Sequence, residues 1–242
     1  PRWRNRQTGR FGQIMSARAD EISNGLSNVK ERVSAAVASA GRSLDEITLI
    51  AVTKTYPISD VVTLHNLGVN NFGENRSDEG SEKSAEVAGI WHFQGQVQSR
   101  KLREIVSWAT FIHSIDSAEH AQKLSRICVE LDKDISIFLQ ISLDGAPDRG
   151  GVAASEILAL AEKVSQLPNI NLAGLMCVPP ASYEHQRAFS EISYIQQSFT
   201  KSFPEAKLLS AGMSSDFEVA IAHGATHLRI GSQILGSRPD HP

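Results

Sequence analysis

Leu-Ile-Ala-Val-Thr-Lys-Thr, residues 49–55, is a short run of aliphatic and β-branched residues that closes on a lysine. Its length and composition predict a strand buried on both faces, over 47–53. Seven further apolar segments of strand length follow at 69–73, 90–94, 111–115, 135–142, 170–177, 207–210 and 226–230. Helical spacing separates them, as in Val61/Val62/Leu64/Leu67, Ala121/Leu124/Ile127/Leu131, Ile157/Leu160/Ala161/Val164 and Phe189/Ile192/Ile195/Phe199. Leu102, Ile105 and Val106 suffice for a short helix within 98–108. Eight strands alternating with helices imply parallel β/α units, and eight such units close on themselves. The expected fold is α/β, a single (β/α)8 TIM barrel, which needs about 200–250 residues. A doubly wound open sheet is the alternative, weakened because no G-x-G-x-x-G follows the first strand.

Ile22, Leu26, Val29, Val33 and Val37 recur at steps of three and four, so an extra amphipathic helix is expected over 17–40, ended by Gly41. Before it, Arg2, Arg4, Arg6 and Arg10 form a basic arm without an acid, expected to be disordered over 1–14. Met15 could then be the natural start, with 15–242 as one barrel domain. Net charge is −3, and setting aside the four arginines leaves −7 for the rest, so nucleic-acid binding is not expected. The arm has no apolar h-region and no run approaches a membrane span, so the chain is expected to be cytoplasmic. Cys128 and Cys177 have neither paired nor C-x-x-C spacing, which points away from a disulfide framework or a metal cluster.

In a barrel of this kind functional groups gather at the C-terminal ends of the strands. Those ends carry Lys54, then Gly73-Glu74-Asn75, His92, His113 with Asp116, Gln140 and Ser142, Met176-Cys177, Ser210 with Gly212-Met213-Ser214, and Arg229 with Gly231-Ser232. Lys54 is out of place as packing, and a desolvated amine is freed to attack a carbonyl. It is either a Schiff-base residue or a lysine that opens the next loop. Gly231-Ser232 follows a strand and opens a helical turn, where backbone amides and a hydroxyl can hold an anion. Ser214-Ser215-Asp216 reads as an N-cap able to add donors, or as an ordinary capped turn. Arg229, inside an apolar strand, must turn into the barrel mouth or find a partner. A carbonyl-capturing lysine, an anion-holding end and an inward arginine together describe a pyridoxal phosphate pocket.

Ala-Val-Thr-Lys-Thr (51–55), Phe-Gly-Glu-Asn (72–75), Trp-His-Phe-Gln-Gly (91–95), Gly-Leu-Met (174–176), Gly-Met-Ser-Ser-Asp-Phe-Glu-Val-Ala-Ile (212–221) and Arg-Ile-Gly-Ser (229–232) resemble, in the same order, the pyridoxal phosphate homeostasis protein family. The resemblance spans about residues 17 to 238 and implies a barrel like the alanine racemase N-terminal domain. It makes Lys54 the lysine linked to the cofactor aldehyde and puts Asn75 and His92 beside the ring. Met213 and Ser214 would flank the phosphate, Gly231 and Ser232 would hold its oxygens, and Arg229 would face the pyridine nitrogen. The family usually has Thr where this chain has Ser232, which keeps the hydroxyl; the basic arm has no counterpart.

A cationic arginine disfavours a proton on the ring nitrogen and makes the ring a weak electron sink. Racemisation also needs an acid or base on each face of the substrate carbon. The racemases draw their second base from a C-terminal domain. Only ten residues follow Ser232, so none is expected here; of Tyr56, Tyr183 and Tyr194 only Tyr56 is placed near the mouth. The expectation is therefore a monomeric carrier or buffer of pyridoxal 5'-phosphate, without a catalytic residue or a metal, with pyridoxal-phosphate-dependent apo-enzymes as its candidate partners. A pyridoxal-phosphate-dependent racemase or lyase is the alternative, and a cofactor-free Schiff-base aldolase the second.

Overall fold

The computed structural model describes residues 4–146 and 149–237, with side chains from residue 17 onward. Helix α1 (Arg4–Ser39) leads through a capped 3-10 turn to β1 (Thr48–Val52), α2 (Ile58–Asn66), β2 (Asn71–Glu74), α3 (Ser77–Glu86) and β3 (Ile90–Phe93). Then come α4 (Leu102–Trp108), β4 (Phe111–Ile115), α5 (Ala118–Glu130), β5 (Ile135–Ser142), the two-residue β6 (Val152–Ala153), and α6 (Ile157–Val164). The chain ends with β7 (Ile170–Cys177), α7 (His185–Ser202), β8 (Leu208–Ser210), α8 (Phe217–Ala222), β9 (His227–Ile230) and α9 (Ser232–Leu235). All pairings are parallel. They run from β4 through β3, β2, β1, β9, β8 and β7 to β5, and a β4–β5 pairing closes the ring. Eight strands thus form the expected barrel, with β6 appended outside it against β5.

The barrel strands are shut off from solvent on both faces: mostly aliphatic side chains pack against the helices, and a mixed set that includes His92, His113, Phe138, Met176, Ser210 and Arg229 is buried on the other face. Ile50, Ala51, Ile112, Ile137, Leu139, Leu175, Leu228 and Ile230 are fully or almost fully excluded from solvent. The ring of helices has a gap that α1 fills. Helix α9 is four residues long, too short to cover β9 and β1, and α1 packs against α9, α8 and α2 in its place. Its stripe Ile22, Leu26, Val29, Val33 and Val37 is buried, as the spacing predicts. Arg18 fixes the register, with two bonds to the Asp60 carboxylate (2.6 and 3.3 Å) on α2 and one to the Leu235 carbonyl (2.8 Å) on α9.

Helix α1 begins at Arg4, earlier than the expected residue 17. The expected disordered arm falls on residues 1–14, whose side chains lie outside the described ones, as does the backbone of residues 1–3. Helix α3 fills a place that the alternation of strands and helices requires, but no apolar stripe in the sequence marks it. No helix among the described residues is long and apolar enough to cross a membrane.

Candidate functional site

At the C-terminal mouth of the barrel the strand ends enclose a cavity of about 570 Å3. Lys54 enters it from two residues past β1, and Asn75 from one residue past β2. Arg229 reaches up from within β9, and the turns after β8 and β9 bring Met213, Ser214, Gly231 and Ser232. Seven of the eight residues singled out in the sequence therefore converge on one space. The Ser232 and Ser214 hydroxyls lie 3.4 Å apart, and Gln233 donates to the Ser214 carbonyl, which ties the two turns together. Gly212, at φ 96°, makes the bend that aims Met213 and Ser214 inward; a side chain there would also meet the Ala220 Cβ at 2.7 Å.

The charge pattern is one-sided. The described lining has two cations, Lys54 and Arg229, three hydroxyls, Ser214, Ser215 and Ser232, and no carboxylate. Two amides, Asn75 and Gln94, complete the polar set. Gln94 follows β3, and its Nε2 is buried without a hydrogen-bond partner among the described residues. Such a donor set suits an anionic ligand with further acceptor atoms.

A buried ionic cluster clamps the backbone on both sides of Lys54. Lys83 of α3 donates to the Thr53 carbonyl (2.7 Å), to Glu74 (2.7 Å) and to Glu79 (3.2 Å). Thr53 Oγ1 donates to the same Glu74 oxygen (2.6 Å), and the Thr55 amide donates to Glu79 (2.9 Å). Thr55 itself is held at φ 69°, a conformation costly for a β-branched residue. Burial pushes the Glu74 carboxyl up from its ordinary range even though Lys83 opposes the shift. Asn75 is placed by the neighbouring strand end: a Cβ on Gly95 would lie 1.9 Å from the Asn75 carbonyl oxygen, so only glycine lets the two loops pass.

Arg229 is 6% exposed, and burial lowers its pKa to about 10, so it remains a cation at neutral pH. It donates to Ser210 Oγ (2.6 Å) and to the Cys177 carbonyl (3.0 Å). Ser210 is bonded to His113 Nδ1 (2.7 Å), His113 Nε2 to His92 Nδ1 (2.9 Å), and His92 Nε2 to Asn71 Oδ1 (3.0 Å). This line runs down the barrel axis from the mouth to the start of β2. Stacking of His113 on Phe138 and of His92 on Phe111 holds it, with ring centroids 4.4 and 4.8 Å apart.

The family described as "Alanine racemase, N-terminal domain" matches residues 26–239. The pyridoxal phosphate homeostasis protein of Mycobacterium leprae is 35% identical over 244 residues, covering 92% of this chain and 95% of that one. The protein of the same name from Escherichia coli is 35% identical over 228 residues, covering 90% and 97%. The chain belongs to the pyridoxal phosphate homeostasis protein family, within the alanine racemase N-terminal domain family. PipY of Synechococcus elongatus, solved with PLP bound, is 32% identical at a TM-score of 0.75, covering 85% of this chain and 99% of that one. Alanine racemase of Clostridium difficile, 15% identical at a TM-score of 0.72, shares the fold across 60% of its own length.

His92 is the one singled-out residue that the cavity does not take in. It lies within β3 rather than past its end, fully buried one layer below the mouth, and burial depresses its pKa to about 3. Gln94 stands at the rim in its stead. Gln94 carried a signal, since it closes the Trp-His-Phe run, but strand alternation alone does not say which layer a residue reaches. Tyr56 is buried too, its hydroxyl donating to the Gly236 carbonyl (2.6 Å). Cys177 lies outside the lining, and burial raises its thiol to about 12, so it remains protonated at neutral pH.

Proposed function

We propose that the protein binds pyridoxal 5'-phosphate through Lys54 and holds it as an intracellular carrier or buffer in vitamin B6 and amino-acid homeostasis. One observation carries this reading: an amine, a guanidinium and three hydroxyls, with no carboxylate, share a cavity of about 570 Å3. That volume suits a small cofactor. The names of the relatives and the PLP-bound PipY support it.

The residues present fit the group. Lys54 would capture the aldehyde, forming a carbon–nitrogen double bond with loss of one water. Ser214, Ser232 and the turn at Gly231 would hold the phosphate, with Met213 beside it. Asn75 and Gln94 would flank the ring, and Arg229 would face its nitrogen. When bound, the cofactor supplies an electron sink, and Arg229 weakens it by disfavouring a proton at that nitrogen.

Binding without turnover follows from which groups can move protons. Lys54 can serve one face of a substrate carbon. Of the residues at the mouth, Ser214, Ser215, Ser232, Asn75 and Gln94 exchange no proton readily at neutral pH without a base beside them. Tyr56 is tied to a carbonyl and Cys177 stays a thiol. The acceptors of the cofactor on this reading are pyridoxal-phosphate-dependent apo-enzymes, and the protein acts as a monomer.

The test is an absorption spectrum with added pyridoxal phosphate, then borohydride reduction and peptide mass spectrometry. A visible band and a reduced adduct on Lys54, both lost in Lys54→Ala, are expected. No band and no adduct would overturn binding through Lys54. Rapid α-proton exchange of L-amino acids in deuterated water, lost in Lys54→Ala, would overturn the non-catalytic role instead.

A further inference from the structure

Arg229 poses a physical problem. A buried guanidinium is normally matched by a carboxylate, yet its two described partners are a serine hydroxyl and a backbone carbonyl. What lies behind that serine supplies the compensation.

The direction of the whole chain is set by its ends. A guanidinium can only donate, so Ser210 Oγ accepts from Arg229. At the other end Asn71 Oδ1 can only accept, so His92 carries its proton on Nε2. Burial keeps His92 and His113 neutral, so each has one donor and one acceptor nitrogen. His92 Nδ1 must therefore accept from His113 Nε2–H, and His113 Nδ1 must accept from the Ser210 hydroxyl. Every donor points away from the mouth and every acceptor toward it. Four aligned dipoles thus turn their negative ends to Arg229 and polarise one another. His227 lies close by, its ring centroid 6.3 Å from both histidine rings, but it bonds Thr226 and stays outside the chain.

We propose that Ser210, His113 and His92 are positioning residues, a one-way hydrogen-bond chain that holds Arg229 charged and turned into the cavity, so that the ligand atom meeting it must be a hydrogen-bond acceptor. This rests on reading the cavity as the pyridoxal phosphate site, where that acceptor is the unprotonated ring nitrogen. The design differs from an ion pair in one respect. A carboxylate bonded to Arg229 would cancel its charge toward the cavity, whereas neutral dipoles hold the cation by hydrogen bonds, and the one carboxylate that acts on it, Asp216, does so without a bond to it among the described residues.

Two measurements test it. In the unliganded protein, nitrogen NMR of histidine-labelled material at neutral pH should show His92 and His113 both neutral with the proton on Nε2. Protonation of His113 on Nδ1, or a charged ring at either position, overturns the chain without any variant or cofactor. Next, pyridoxal phosphate labelled at the ring nitrogen is added to wild type, Ser210→Ala, His113→Leu and His113→Gln. Ser210→Ala and His113→Leu should lose about tenfold or more in cofactor affinity, as expected for a bond to a charged donor, with the ring-nitrogen signal moved toward the protonated form. His113→Gln, whose amide can accept from Ser210 and donate to His92, should restore both. Wild-type affinity and signal in Ser210→Ala and His113→Leu would overturn the proposal. Failure of the wild type to take up cofactor would instead overturn the binding reading, while the tautomers would still decide the chain; they decide it equally if a variant does not fold.

Discussion

Replacing Lys83 by methionine isolates the cluster that clamps Lys54. The Lys83 side chain is 5% exposed and its partner Glu74 is fully buried, so methionine keeps the packing and strands a carboxylate without its counter-charge. Breaking a buried pair from one side costs about 3–5 kcal/mol. The molecule has one escape, which is to protonate Glu74. Burial already raises the Glu74 pKa, and loss of Lys83 removes the group that opposes the shift. A carboxyl whose folded pKa lies above its unfolded value contributes stability that is present below the unfolded pKa and lost as pH rises through the folded one. The deficit of Lys83→Met should therefore grow with pH. At about pH 8 it should reach the full 3–5 kcal/mol; at about pH 5 it should shrink toward the about 1–3 kcal/mol of the lost hydrogen bonds.

Urea denaturation of wild type and Lys83→Met across that range measures the difference directly. The double variant Lys83→Met/Glu74→Gln supplies the control. It removes the buried charge and leaves an amide that still bonds Thr53, so it should recover most of the loss. A deficit below about 1 kcal/mol that stays flat with pH would refute the buried pair, since only an exposed pair behaves so.

Other perturbations probe other parts of the molecule. His92 and His227, depressed to about 3 and about 4, with His113 lowered as well, bind protons on unfolding, so stability should fall as pH drops from about 6.5, by up to about 1.4 kcal/mol per pH unit for each histidine. Acid titration followed by circular dichroism checks this, and a flat profile down to about pH 4 would contradict neutral burial. Gly95→Ala should displace Asn75, whose carbonyl oxygen would lie 1.9 Å from the new Cβ, at a cost of about 1–3 kcal/mol visible in the urea midpoint and in weaker cofactor binding. Thr55→Gly relieves a left-handed conformation costing about 1–2 kcal/mol against about 0.5–1 kcal/mol of added unfolded-state entropy. It should leave the urea midpoint unchanged or slightly higher.

The strands were legible because each is shut off from solvent on both faces and so stays a short, largely apolar run even where it carries one or two polar residues. The expected segments 135–142 and 170–177 coincide with β5 and β7. Helix α3 was hidden for the opposite reason. Its buried positions are Ser77, Gly80 and Lys83, none of which registers as an apolar stripe. Gly80 is there because Trp108 lies against it, 2.2 Å from where a Cβ would be, and Lys83 because Glu74 and Glu79 await it. The site was legible where a polar residue ended an apolar run, as at Lys54 and Arg229. It was not where a polar side chain served another polar side chain inside the barrel. His92, His113 and Ser210 each look like strand-end groups, and only the fold shows that they sit beneath Arg229 rather than beside it.

The two buried polar systems do different work at the same mouth. The Lys83 cluster acts on backbone, fixing the Thr53 carbonyl and the Thr55 amide on either side of Lys54, the residue that reaches the cavity. The axial chain acts on charge, steadying Arg229 without neutralising it. If Lys54 captures an aldehyde here, the first system favours the bond and the second denies the ring the proton that would make it reactive. On the proposed reading, a lysine held by its backbone, a weakened electron sink and no second proton-moving group among the described residues of the mouth would keep the bound cofactor intact, which is what a reservoir requires and what a racemase must avoid.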